Sequence, residues 1–184
     1  MTATLGGADS ALSDDERLML DTIRNFAALA GSRPGWRYGS VYALLLDSGR
    51  LFTPAPWPDG EIPGEPGRCY VESVSWACAV DRAYVEGMAW NGLWQIEHAW
   101  LAGPDGRSAH DPTWREPGTA YLGLPIDPRT ASDLMGHHRE PLLAHGTVCR
   151  EWLQHGVPAD LLIDCGRPVP VVAREGHPAG GPAA

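Results

Sequence analysis

The stretch Gly67 to Trp114 carries a cysteine, a histidine and an aspartate in an order that suits thiol chemistry: Cys69, His98 and Asp111. A thiolate attacks a carbonyl carbon, an imidazole moves the proton, and a carboxylate fixes the imidazole tautomer and steadies its charged form. His98 stands 29 positions after Cys69, and Asp111 13 positions after His98. Cys69 follows Gly67-Arg68 and opens a segment of helical character. Unpaired N–H groups and the helix dipole there favour a thiolate, Arg68 adds positive charge, and Gly67 leaves room for a substrate. Each residue also has a plainer reading. Cys69 could be a small buried side chain, His98 a structural strand histidine, and Asp111 the start of an Asp-Pro-Thr turn.

The elements that must position these residues follow from the pattern. Cys69 to about Asp81 reads as a largely buried helix, with Val71, Val74 and Cys78 on one face. Tyr84 to Trp90 alternates as a strand, Asn91-Gly92 marks a turn, and Gln95 to Leu101 is a second strand with His98 on the face of Ile96 and Trp100. After Gly103-Pro104-Asp105-Gly106, Ser108 to Thr113 is a third strand cut short by Pro112, and Tyr121 to Leu124 adds a fourth. The short connections predict an antiparallel sheet. In that hairpin Asp111 is expected to reach the Nδ1 side of the His98 ring. His110 should point to the opposite face.

The motifs Gly67-Arg68-Cys69-Tyr70, Glu97-His98-Ala99-Trp100 and Asp111-Pro112-Thr113-Trp114 resemble the transglutaminase-like branch of the papain-like cysteine enzymes. The resemblance covers about a third of the chain. It implies an α+β fold in which an antiparallel sheet packs on a helix with an N-terminal cysteine. It also implies Cys69 as nucleophile, His98 as base and acid, and Asp111 as the residue that orients His98. The substrate is left open, because that superfamily holds peptidases, amidases, acyltransferases and cross-linking enzymes. The expected reaction is cysteine-dependent acyl transfer to an amine or hydrolysis of an amide or thioester. The Cys69 N–H would serve as one oxyanion donor, and no cofactor is required. Glu86 could read an amine or guanidinium beside the site, or could be a solvent-facing strand carboxylate. Trp100 and Trp114 are candidate substrate contacts, and with Trp90 and Trp94 they would equally suit a non-catalytic peptide- or partner-binding module. A metal site made of His98, His110, Asp111, His137 and His138 lacks persuasive spacing.

The remainder of the 184 residues frames this stretch. Residues 1–12 are expected to be flexible, 13–166 to form a single α+β domain, and 167–184 to be a disordered Pro/Gly/Ala-rich tail. Ser13 and Glu16 fit a capping box for a helix from about Asp14 to Ala30. Val41 to Leu46 reads as a short helix stopped at Gly49. Residues 52–68 read as a Pro/Gly-rich connection with few side chains for a core, and Trp57 in it as cover for apolar surface. Helices are expected from Pro128 to about Met135 and from Leu142 to about His155, with a short turn at Ala159 to Ile163. The net charge of −9 argues against nucleic acid or an anionic membrane surface as partner. A small-molecule or peptide substrate is expected instead. No long apolar run or leader-like start is present, and none of the four cysteines pairs as C-x-x-C. Together these predict a cytoplasmic protein with free thiols.

Overall fold

The computed structural model describes residues 11–136, 140–144 and 146–170. It is a mixed α+β fold in which, among the described residues, five helices surround a barrel-like sheet of five strands. The first helix, α1 (Asp14–Ala30), starts at the expected capping box: Ser13 accepts from the Glu16 N–H, and the Glu16 carboxylate accepts from the Ser13 N–H. Met19, Leu20 and Ile23 are its wholly buried side. The second helix, α2 (Val41–Ser48), is capped by the Ser40 hydroxyl and ends at Gly49.

Strand β1 (Arg50–Ala55) comes next. The composition of 52–68 argued against it, and that expectation fails here. Leu51 and Phe52 are completely buried, one on each face of the sheet. Pro54 is tolerated where its missing N–H costs no ladder bond. Helix α3 (Cys69–Val80) follows the loop, and Asp81 closes it in the left-handed conformation. Strands β2 (Tyr84–Trp90) and β3 (Gln95–Ala102) form a hairpin, whose four-residue turn is held by the Asn91 side chain accepting from the Leu93 and Trp94 N–H groups. Strand β4 is only Ser108–His110, and β5 is Ala120–Ile126.

The ring runs β1, β5, β2, β3, β4 and back to β1. Every contact in it is antiparallel except β1 with β4, which is parallel and closes the barrel. The expected sheet was wholly antiparallel; the closing pair depends on β1. Inside lie Phe52, Val85, Ala89, Trp100, Ala109 and Tyr121. The outer face, with Tyr84, Met88, Leu101, Leu122 and Leu124, packs against the helices as the larger core. Close approach inside is bought by Gly87 and Gly123, which face each other across β2 and β5. A Cβ at Gly87 would come 2.1 Å from the Leu122 carbonyl oxygen, and one at Gly123 would come 2.7 Å from the Trp100 ring.

Helix α4 (Pro128–Met135) matches its expected span. The last helix, α5 (Thr147–His155), is shorter than the 142–155 expected, because it starts only after Gly146. A short 3-10 turn covers Ala159–Leu161, and β6 (Arg167–Pro168) pairs with Arg50 and Leu51. Arg167 also forms an ion pair with buried Glu16. The described fold therefore runs past residue 166, into the segment expected to be a tail. Residues 1–10 and 171–184 lie outside the described residues. No helix among the described residues is long and apolar enough to cross a membrane.

Candidate active site

The register of β3 and β4 sets the aspartate against the histidine. Leu101 pairs with His110 and Ala102 with Ala109. One step further, Asp111 stands opposite Trp100 and shares the inner face with Trp100 and with His98, two residues along. The chain leaves the ladder there, because Pro112 has no N–H to donate. Asp111 thus follows the strand rather than sitting on it, which corrects the expected 108–113 span. Its turn fills the edge of β3 that β4 does not cover.

His98 Nε2 lies 2.6 Å from Asp111 Oδ2, with both side chains buried. The expectation named Nδ1; with Nε2 taken by Asp111, Nδ1 is the nitrogen left for the thiol. Cys69 lies close enough to the same ring to raise its pKa. Trp114 covers the ring face, with centroids 4.3 Å apart. Asp111 is itself held firmly. Oδ1 accepts from the Thr113 N–H at 2.9 Å, the Thr113 hydroxyl at 3.0 Å and the Trp114 N–H at 3.1 Å. Oδ2 accepts from the Tyr121 hydroxyl at 3.3 Å, and that hydroxyl accepts from the Gly118 N–H at 2.7 Å.

Two contacts fix Cys69 relative to this pair. The Gly64 N–H donates to the Pro112 carbonyl at 2.7 Å, so the loop that delivers Cys69 is tied to the turn that carries Asp111. The buried Ser73 hydroxyl donates to the Ala99 carbonyl at 2.9 Å, joining α3 to β3 one residue from His98. Arg68, at the N-cap, makes no side-chain cap to the first turn of α3. The first-turn N–H groups, that of Cys69 among them, thus receive no side-chain cap.

The electrostatics follow from these partners. Burial alone would lower the pKa of His98, but the hydrogen-bonded Asp111 and the neighbouring Cys69 raise it to about 9. Burial alone would raise that of Asp111, but the His98 contact and the Thr113 donors hold it below its ordinary value.

Glu86 is not solvent-facing. It is wholly buried on the outer face of β2, where Oε2 accepts from the Tyr84 hydroxyl at 2.7 Å and the Leu142 N–H at 3.0 Å, and Oε1 from the Leu143 N–H at 2.7 Å. Burial raises its pKa to about 7 despite those donors. With Tyr70, Met88, Glu97 and Leu143 it lines a small cavity next to the Cys69 end of α3. Trp100 does not line a substrate groove. It is fully buried inside the barrel, edge-on to Phe52 and tilted against Tyr121, because β3 turns that face inward.

Cys78, read as buried, is exposed, with Sγ 3.3 Å from the Pro128 carbonyl. Cys149 is buried on α5, and burial raises the pKa of its thiol. His110 lies on the opposite face from His98, as its position in β4 demands. Among the described residues no group of three or more His, Cys, Asp and Glu side chains could hold a metal ion. His137 and His138 lie outside the described residues. Sequence reasoning missed Thr113 and Tyr121 as supports of Asp111. The Asp-Pro-Thr word carried a signal for Thr113, since Asp side chains commonly accept from the backbone two residues on. Nothing in the sequence marks the Tyr121 hydroxyl.

Compared with family models, curated proteins and solved structures, the chain has no match in any of the three.

Proposed function

We propose that this chain is a cysteine-dependent acyl-transfer or hydrolytic enzyme built in the transglutaminase-like, papain-like manner. The observation that carries the reading is the buried 2.6 Å His98–Asp111 pair, with Cys69 near enough to the ring to raise its pKa. The Cys69 sulfur, as a thiolate beside protonated His98, attacks the carbonyl carbon of an amide, ester or thioester. The N–H of Cys69 steadies the oxyanion. The tetrahedral intermediate collapses, the carbon–leaving-group bond breaks, and protonated His98 gives its proton to the departing amine, alcohol or thiol. A thioester remains on Cys69. Water or an amine, deprotonated by His98, then attacks the thioester and returns the thiol. Asp111 holds the ring in place throughout. Trp114 shields one ring face. A reducing, cytoplasmic compartment fits the free thiol.

The test compares alkylation by iodoacetamide at Cys69 and Cys149 near neutral pH, with intact-mass detection of adducts after exposure to acyl donors. Cys69 should react before Cys149 and alone carry the acyl group, and Cys69→Ala should abolish the acyl adduct without changing the thermal unfolding midpoint. Equal labelling of the two cysteines with no adduct would leave a binding module on the same fold.

A further inference from the structure

A second cavity lies away from Cys69, between the loop before α3, the later part of α3 and the outer face of β3 and β4. Its volume is about 100 Å³. Trp76, on α3, is two turns from Cys69, about 10 Å by the rise of the helix. Trp57 meets Trp76 edge to face, with centroids 5.2 Å apart and planes at 74°. Leu101, Arg82 and His110 also line it, and exposed Glu61 stands in the loop side of it.

The polar groups here are unusual in having nothing to do. Trp57 Nε1 and His110 Nδ1 are buried without a hydrogen-bond partner. Arg82 is half-buried, and among the described residues it has no ion pair. Buried donors are normally paired, and leaving them unpaired costs stability. Three groups able to donate to an acceptor, one of them a cation, thus line one aromatic-walled cleft.

We propose that this cavity binds a small aromatic carboxylate, its ring against Trp57 and Trp76 and its carboxylate toward Arg82. The size suits one ring: an engineered apolar cavity of about 150 Å³ takes up benzene, so a single ring with its acid arm at the mouth fills this one. A carboxylate satisfies the guanidinium bidentately and can accept from a neighbouring N–H. Burial and the Arg82 charge both lower the pKa of His110, so its ring is neutral near pH 7 and its Nδ1 donates only in the tautomer that carries the proton there. Nearby Asp105 acts in the opposite sense on His110 but more weakly. Glu61 is exposed, so its charge is largely screened. The same chemistry is offered by a free arylacetate and by the C-terminal residue of a peptide ending in Phe. This site does not rest on the acyl-transfer reading.

The full chain is titrated calorimetrically with phenylacetate, with phenylacetamide, and with short peptides ending in Phe as acid or as amide. The acids should bind roughly tenfold or more tightly than their amides, the margin of a charged hydrogen bond. Arg82→Met should remove that margin, and Arg82→Lys should restore part of it. Cys69→Ala should leave binding unchanged. A peptide acid that outbinds phenylacetate identifies a chain terminus as the ligand; the reverse order identifies a free acid. Equal affinity for acid and amide, a margin that survives Arg82→Met, loss of binding in Cys69→Ala, or no binding of any acid would each overturn the proposal.

Discussion

His98 keeps its proton in a place where burial opposes charge, and the reason is its two partners. Its ordinary pKa is 6.5 and its value in the fold is about 9. Between those values the folded chain holds a proton that the unfolded chain lacks. This contribution to stability is complete below about pH 6.5 and is lost as pH rises through about 9. Glu86 acts in the same direction at lower pH. Its folded value of about 7 against 4.5 makes its contribution complete below 4.5 and lost as pH rises through about 7. Asp111 has the opposite sign, since its pKa is lowered from 3.8; its contribution is present above that value and is lost as pH falls below it. The urea midpoint should therefore fall as pH rises from about 4.5 to about 9. Glu86→Gln should flatten the part of the fall below about pH 7 and leave the upper part, and Asp111→Asn should flatten the upper part. A midpoint that rises steadily across that range would contradict the assignment. Cys69, His98 and Asp111 could be singled out in the sequence because each stands in a short word with its neighbours, and the nearness of His98 to Asp111 followed from the expected strand pairing. Glu86 was legible as a carboxylate near the site, but its burial was not, because the N–H groups that hold it come from Leu142 and Leu143, more than fifty residues away.

Helix α3 and strand β3 carry the sulfur and the imidazole, so what joins them governs the site. The Ser73–Ala99 hydrogen bond is buried, and both ends lie within four residues of a site residue. Ser73→Ala leaves the Ala99 carbonyl without this donor and should cost about 1–3 kcal/mol of stability by denaturant titration. The same variant should slow alkylation at Cys69 more than at Cys149, because only Cys69 depends on the fit of α3 to β3. Periodicity revealed α3, β2 and β3, each long enough for its pattern to repeat. It failed at β1, where Thr53, Pro54 and Ala55 dilute Leu51 and Phe52, and where the partners in β4 and β5 decide the conformation. It overran α5 because Leu142 and Leu143 look helical, yet their N–H groups are spent on Glu86.

At the scale of the whole molecule, the barrel interior is small and depends on a few large side chains. Phe52, Trp100 and Tyr121 occupy it together, with Phe52 6.0 Å from Trp100 and Trp100 4.9 Å from Tyr121, centroid to centroid. Phe52→Ala should destabilise by about 3–5 kcal/mol in equilibrium unfolding. Gly123→Ala should also destabilise, by about 1–3 kcal/mol, as the new methyl displaces Trp100. The α+β class and the hairpin could be read from alternation and turns. Closure could not, since it rests on a parallel pairing between residues 53–55 and 108–110, segments too short to announce a partner.

The three-residue strand β4 is gripped on both sides, by β1 and by β3, and Asp111 is the next residue. The β3–β4 pairing spans only 7 to 9 residues and can form locally, but β4 is held on its other side, and the loop to Cys69 is launched, only when β1 closes the ring from 55 residues away. During refolding from urea, fast labelling at Cys69 should recover later than hairpin fluorescence, so the chain passes through a compact form whose sulfur is not yet armed.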